Sequence, residues 1–273
     1  RKLEYRGYDS AGIATIENSS KDKFGELLIR KSKGKLINLS NLIKNNPSRG
    51  HVGIGHTRWA THGKPSEKNA HPHVDYTGQI AVVQNGIIEN HRDLCETPKL
   101  KGIKFTSETD TEVIPHLIGV EIANSLSNGH PPNGETLLIA VQKVLSLLKG
   151  AYAIAVIWAK APDSLVVARR QAPLVIGFGE GEFFGASDTT ALIGFTRTFL
   201  PLKDQEVALL TPLGIELYDE YGKRQHRAPS LLKGTELFAD KKNFRHFMLK
   251  EIYEQPETAQ LWIDRYLPMN LPP

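Results

Sequence analysis

The 273-residue chain is 40% hydrophobic, which is enough apolar material to fill a sizeable core and excludes a chain disordered by default. Its 34 basic and 30 acidic residues leave a net charge of only +4, and the most basic run, Arg30 to Lys35, has no interleaved aromatic residue. It reads as a solvated turn, and no nucleic-acid partner is expected. One cysteine, Cys95, excludes an internal disulfide or a cysteine-based metal cluster and points to the cytoplasm, while no apolar run approaches a membrane span or a signal-peptide core.

In chain order, apolar β-prone runs at Ala11 to Ile16, Glu26 to Ile29, Val52 to Ile54 and Ile80 to Val83 predict short strands separated by glycine-rich or polar turns. Two helices follow, with apolar positions from Val113 to Ile122 and from Leu137 to Leu148, and Thr109 and Asp110 are candidate caps for the first. Ala151 to Trp158 is almost continuously apolar. Further strands are expected at Ser164 to Ala168, Leu174 to Phe178, Glu206 to Leu210 and Ile215 to Tyr218, with a hairpin turn at Asp219 to Gly222. Gly177 to Gly181 lacks the glycine spacing of a nucleotide loop and reads as a turn. The last stretch, Asn243 to Tyr266, predicts a helix interrupted at Pro256, and its Trp262, Tyr266 and the following Leu267 call for a covering surface. Strands with helices grouped between them indicate an α+β layered sandwich, because a parallel βαβ fold alternates the two more regularly.

The chemistry concentrates in Gly55 to Gly63, where His56, Arg58, Trp59, Thr61 and His62 stand between glycines. Arg58 can grip a carboxylate with two parallel charge-assisted hydrogen bonds, and Asp110 can take an ammonium. Together they would read the head group of a free amino acid, with Thr61 and His62 adding donors or acceptors. The plainer reading, an ion-pair residue and a helix cap, stays open on spacing alone. Asn85-Gly86 is a hairpin signal as a lone dipeptide, yet Ile87 to Asn90 offers no return strand. The turn then presents the Asn85 amide and the Gly86 N–H as an oxyanion hole. His56, His62, His71 and His73 raise a metal site, but no ordered carboxylates accompany them and no His-Glu-x-x-His is present, so no metal is expected. His51 and His73 read as structural or surface residues, and Cys95 has no activating signature.

The runs Leu3 to Gly12, Gly55 to Gly63, Asn85 to Asn90, Ser107 to Glu112 and Lys250 to Pro256 resemble the glutamine–fructose-6-phosphate aminotransferase family over nearly the whole chain. The matching part is the glutaminase domain, a class II glutamine amidotransferase. The resemblance implies a four-layer αββα sandwich of two mainly antiparallel sheets, of the N-terminal-nucleophile hydrolase type, without a cofactor. Residues 1–242 would be the glutaminase domain, and 243–273 an exit helix and linker towards a sugar isomerase domain of the same polypeptide. By this resemblance Arg58 holds the α-carboxylate of L-glutamine and Asp110 its ammonium. Thr61 and His62 complete the pocket, Asn85 and Gly86 form the oxyanion hole, and Trp59 lies on the closing loop. Arg6 and His71 support the site, and the whole enzyme would be a homodimer.

One element of the family pattern is missing. Its nucleophile is a terminal cysteine whose own amino group is the base, whereas this chain starts at Arg1, in the helix expected to follow the nucleophile strand. Residues 1–273 alone are therefore expected to be inactive. The competing expectations are a glutamine-binding module without catalysis and the glutaminase domain of another class II amidotransferase.

Overall fold

Side chains that alternate across the strands build the centre of the molecule. In the computed structural model, which describes residues 2–4, 7–18, 24–60, 63–232, 243–244 and 247–266, the chain falls into two compact units, Leu3–Lys233 and Gly234–Pro273. The first unit contains a seven-stranded sheet made of β4 (His73–Val74), β5 (Ile80–Ile88), β6 (Gly150–Trp158), β7 (Leu165–Arg170), β11 (Val207–Thr211), β12 (Gly214–Tyr218) and β13 (Arg224–Gln225). Their order is β13-β12-β11-β7-β6-β5-β4, and every pair is antiparallel.

One parity of these strands, Ile80 and Val82 on β5 with Ile154, Val156 and Trp158 on β6, packs against two helices. These are α4 (Val113–Ser127) and α5 (Gly134–Leu145). Helix α4 is apolar nearly all round and buries ten of its residues, as a helix enclosed on most sides must. Helix α5 is amphipathic and begins at Asn133, whose side chain accepts the Thr136 N–H at 3.0 Å, meeting one of the orphan donors of the first turn.

The opposite parity faces a second sheet layer. Ala81, Val83 and Ile157 meet Ala14, Ile16 and Ile54, and Ala153, Val167, Ala208 and Leu210 meet Ile176, Leu200 and Leu202. This layer is in two pieces. Strands β1 (Ser10–Asn18), β2 (Gly25–Lys33) and β3 (Val52–Arg58) form a sheet in the order β2-β1-β3, and β8 (Val175–Phe178), β9 (Phe183–Ala186), β10 (Thr198–Pro201) and β14 (Ser230–Leu231) form another in the order β14-β10-β8-β9. Helix α1 (Leu36–Asn45) covers β1 and β2. The sequence of layers is helix, sheet, sheet, helix, as the αββα expectation states. Short helices α2 (His91–Leu94) and α3 (Glu96–Leu100) link β5 to α4.

The structure differs from several sequence expectations. Strands β1, β2, β3 and β5 run beyond their apolar cores, because backbone pairing continues through polar positions such as His56, Arg58, Gln84 and Asn85. Arg30 to Lys33 are consequently strand residues and not a solvated turn, and burial pushes the Lys31 ammonium down to about 8. Thr109 and Asp110 do not cap α4, since Glu112 occupies its N-cap without a side-chain bond and both residues have other partners described below. The turn expected at Gly177 to Gly181 begins only at Gly179, because Gly177 and Phe178 of β8 still pair with β9, and the turn at Asp219 to Gly222 forms with Asp219 accepting the N–H groups of Tyr221 and Lys223.

In the second unit, α6 (Phe247–Tyr266) runs through Pro256 without interruption. A proline removes one backbone hydrogen bond, and the helix retains i,i+4 pairs on either side, Lys250 to Glu254 at 2.8 Å and Gln260 to Asp264 at 2.7 Å. Trp262 is exposed. Arg6, Thr61, His62 and Leu267 lie outside the described residues.

Candidate functional site

Ile54, His56 and Arg58 occupy alternate positions of β3, and Ile54 belongs to the core between the two sheet layers. The two-residue period of a strand therefore turns His56 and Arg58 to the same inner face. On β5, Ala81 and Val83 line that core and Asn85 follows in the same parity. The apolar inter-sheet core thus ends in polar groups. His56 Nε2 and Asn85 Oδ1 meet there at 2.8 Å, joining the two sheets.

Arg58 is buried, so its charge needs compensation. Its Nη2 donates to the carbonyl of Gly63 at 2.9 Å, and Nη1 lies 3.5 Å from Asp9 Oδ1. The Asp9 N–H returns a bond to the Arg58 carbonyl at 3.2 Å. One side of the guanidinium fork is thereby fixed in direction before any ligand arrives.

Asn85-Gly86 is not a turn, contrary to the sequence expectation. Both residues lie inside β5, opposite Ala153 and Tyr152 of β6. Gly86 has φ +98°, and a Cβ there would stand 2.1 Å from the Ala151 carbonyl oxygen. The left-handed backbone and the close approach both require glycine. Two residues on, the Ile88 N–H donates to Asp110 Oδ2 at 2.7 Å, so Asp110 is attached to the strand that carries Asn85.

The loop before α4 is organised by Glu112. Its carboxylate accepts the backbone N–H and hydroxyl of both Thr106 and Ser107 at 2.6 to 2.8 Å, and His116 Nε2 lies 3.6 Å away. Burial opposes its charge, but the nearby His116 ring and the hydrogen bonds from Ser107 and Thr106 prevail and hold the carboxyl well below the usual range. From this loop Thr109 Oγ1 meets His73 Nε2 at 3.0 Å, and the Thr111 hydroxyl donates to Gln84 Oε1.

Three histidines form a row behind the site. His71 stacks on His56 with ring centres 4.3 Å apart and planes 17° from parallel, and His73 meets the edge of His71 at 4.9 Å. His71 Nδ1 accepts the Gln84 N–H at 3.2 Å. Burial lowers all three, His73 to about 3 and His71 well below its usual value. Imidazoles of this kind are neutral at pH 7 and serve as packing and hydrogen-bonding groups. Among the described residues no group of three or more His, Cys, Asp or Glu side chains could hold a metal ion.

Of the residues expected from sequence, Arg58 lies at the end of β3, Asn85 and Gly86 lie in β5, His71 stacks on the His56 that joins the two strands, and Asp110 holds the Ile88 N–H at the end of β5. Trp59 follows Arg58 and is exposed, with its ring against Tyr8 at 5.4 Å in an edge contact. Cys95 stands between α2 and α3, half-buried, and burial pushes its thiol up, away from the thiolate a nucleophile needs. His56 as the partner of Asn85, Asp9 as the partner of Arg58, and Gln84 were not singled out from sequence. Extending the alternation of Ile54 and Val83 by two positions was the available signal for His56 and Asn85.

The sequence profile described as a glutamine amidotransferase domain matches residues 56–194. The chain is similar to glutamine–fructose-6-phosphate aminotransferase [isomerizing] of Thermosynechococcus vestitus, 54% identical over 267 residues, which are 98% of this chain and 41% of that protein. It is also similar to the protein of the same name from Aquifex aeolicus, 46% identical over 94% of this chain and 40% of that one. The chain thus spans about two fifths of the length of these curated relatives. Among solved structures, the glutamine phosphoribosylpyrophosphate amidotransferase from B. subtilis superposes with a TM-score of 0.63 at 26% identity, covering 80% of this chain and 44% of that one. By its architecture and its sequence, the chain belongs to the glutamine amidotransferase domain family.

Proposed function

We propose that this chain is the glutaminase part of a glutamine–fructose-6-phosphate aminotransferase, releasing ammonia from L-glutamine for transfer to fructose 6-phosphate and so making glucosamine 6-phosphate. The observation that carries the reading is the 54% identity to a relative of that name over 98% of this chain, supported by the placement of Arg58 and Asn85 at the polar ends of β3 and β5, which His56 joins.

In this reading Arg58 takes the α-carboxylate of glutamine and Asp110 its ammonium, with Thr61 and His62 completing the pocket, Trp59 on the closing loop, and Arg6 and His71 in support. A thiolate from a cysteine ahead of Arg1 attacks the side-chain amide carbon. The carbonyl electron pair moves onto oxygen, where the Asn85 amide and the Gly86 N–H meet it. The carbon–nitrogen bond then breaks, the nitrogen takes up a proton and leaves as ammonia, and water cleaves the thioester to glutamate. No cofactor enters the scheme. Residues 1–242 form the glutaminase domain and 243–273 the exit helix and linker to a sugar isomerase domain, in a homodimeric cytoplasmic enzyme. No helix among the described residues is long and apolar enough to cross a membrane.

The test is glutamate release by the full-length protein, with and without fructose 6-phosphate, alongside calorimetric titration of residues 1–273 with glutamine. Turnover in the first and binding without turnover in the second are expected, with Cys95→Ser leaving both unchanged. A second reading, a glutamine-binding module without catalysis, is favoured by Cys95, which packs against the core on the helix side of the sheet and whose thiol is pushed up by burial. Glutamine binding without glutamate release by the full-length protein would establish it.

A further inference from the structure

We infer that His56 is a positioning residue that locks the side-chain amide of Asn85 with its carbonyl turned away from, and its NH2 turned towards, the reacting glutamine amide. The inference rests on the reading of Asn85 as an oxyanion donor and adds the device that makes it one. An asparagine amide has two nearly isosteric orientations, and only one presents a donor. A flip would place a carbonyl oxygen against developing negative charge, so something must hold the productive orientation.

The surroundings of His56 supply that hold. Its Nε2 is 2.8 Å from Asn85 Oδ1, a contact that binds only when Nε2 carries the proton. Its Nδ1 is buried and makes no hydrogen bond among the described residues, although the Gln84 backbone carbonyl also lies near the ring and favours a proton on it. A bare nitrogen lone pair is less costly there than a bare N–H or a full imidazolium. The same burial disfavours the charged ring, which leaves one proton, on Nε2.

The ring plane is fixed in turn. His71 stacks on it at 4.3 Å, and His71 is itself oriented by the backbone N–H of Gln84, the residue before Asn85, at 3.2 Å on Nδ1. That contact makes His71 Nδ1 the acceptor and leaves Nε2 to face the Thr111 hydroxyl at 3.5 Å. The Thr111 hydroxyl donates onward to Gln84 Oε1. The two imidazoles are therefore referenced to adjacent residues of β5, so donor direction and strand position are set together. Gly12, opposite His56 in the β1–β3 pair, leaves room for the arrangement, since a Cβ there would stand 2.2 Å from the His71 carbonyl oxygen.

Two measurements test this. Long-range 15N–1H spectra of histidine-labelled residues 1–273 at about pH 7.5 should show His56 as the neutral Nε2–H tautomer; the Nδ1–H tautomer would overturn the inference without reference to activity. In the full-length protein, His56→Phe should lower kcat for glutamine hydrolysis by roughly 10- to 100-fold, short of the 10²–10³ typical of a deleted oxyanion donor, with KM for glutamine little changed. His56→Gln, which can still donate to Asn85 Oδ1, should restore most of kcat. An equal loss in both variants, or a loss confined to KM, would rule out the positioning role. If Asn85→Ala leaves kcat intact, the underlying oxyanion reading fails; if Asn85→Ala is damaging and His56→Phe is not, this inference alone fails.

Discussion

The carboxylate of Asp110 holds the backbone of Ile88: the Ile88 N–H donates to Asp110 Oδ2 at 2.7 Å, inside the buried end of β5. One residue proposed to read the substrate ammonium is thus also a fastener of the strand that carries the proposed oxyanion donors. The two roles separate by substitution. Asp110→Asn keeps a carbonyl oxygen for the Ile88 N–H but loses the charge, so glutamine affinity should fall at least 10-fold with little change in urea stability. Asp110→Ala should lose affinity and also about 1–3 kcal/mol of stability, the usual cost of a buried unsatisfied N–H. Calorimetric titration and urea unfolding of both variants check this. Equal stability losses would show that the Ile88 bond is not what separates them.

Gly86 carries two constraints in one residue, φ +98° and a Cβ position 2.1 Å from the Ala151 oxygen. Gly86→Ala is expected to destabilise the fold by about 2 kcal/mol or more, since the strained backbone alone costs about 1–3 kcal/mol and the β5–β6 pair must also open. Thermal unfolding measures the loss. A variant as stable as the parent would mean that β6 moves aside freely.

Glu112 anchors Thr106 and Ser107 through four hydrogen bonds, and through that loop it sets the positions of Thr109, Asp110 and Thr111. Glu112→Gln replaces one acceptor oxygen by a donor facing other donors, and should cost about 3 kcal/mol, in the range for breaking a buried charged network. Glutamine affinity should fall with it, because Asp110 loses its frame. Because the folded carboxyl lies below its ordinary value of 4.5, its stabilisation is present above about pH 4.5 and is lost as pH falls through the folded value. Urea unfolding with glutamine titration tests the coupling; weakened stability with unchanged affinity would uncouple the loop from the site.

The buried histidines set a second and earlier acid limit. His73 titrates at about 3 in the fold against 6.5 without it, so between those values the unfolded chain binds more protons than the folded one. Stability is therefore fully present above about pH 6.5 and falls as pH drops towards 3. Each such group contributes a slope of up to about 1.4 kcal/mol per pH unit, and His56 and His71 shift in the same direction. Urea midpoints should fall measurably between about pH 7.5 and 5.5, and His73→Asn should flatten the slope. A pH-independent midpoint across that interval would contradict the neutral buried row.

Much of the architecture was legible locally. Alternation along Ile80 to Val83 and Ala151 to Trp158, and helical spacing from Val113 to Ile122 and Leu137 to Leu148, reflect side-chain periods that neighbouring residues fix without distant help. Strand ends were read short because polar residues there break the apolar pattern while the backbone ladder goes on. Asp110 was read as a cap for a similar reason: its preference for helix starts is local, whereas the Ile88 N–H it serves is brought from another element.

The sequence by itself determined the layered α+β class, the residue types that gather at Gly55 to Gly63, Asn85-Gly86 and Ser107 to Glu112, and the family they resemble. Only the tertiary structure decided who meets whom. His56 and Asn85 are 29 residues apart in the chain, and Asp110 and Ile88 are 22 apart. No local period spans such separations. The first is closed by apolar packing between the two sheet layers, which brings the polar ends of β3 and β5 together as a consequence of burying Ile54, Ala81 and Val83; the second is closed on the other face of the sheet, where Ile88 shares a core with Val113 and Ile114 at the start of α4.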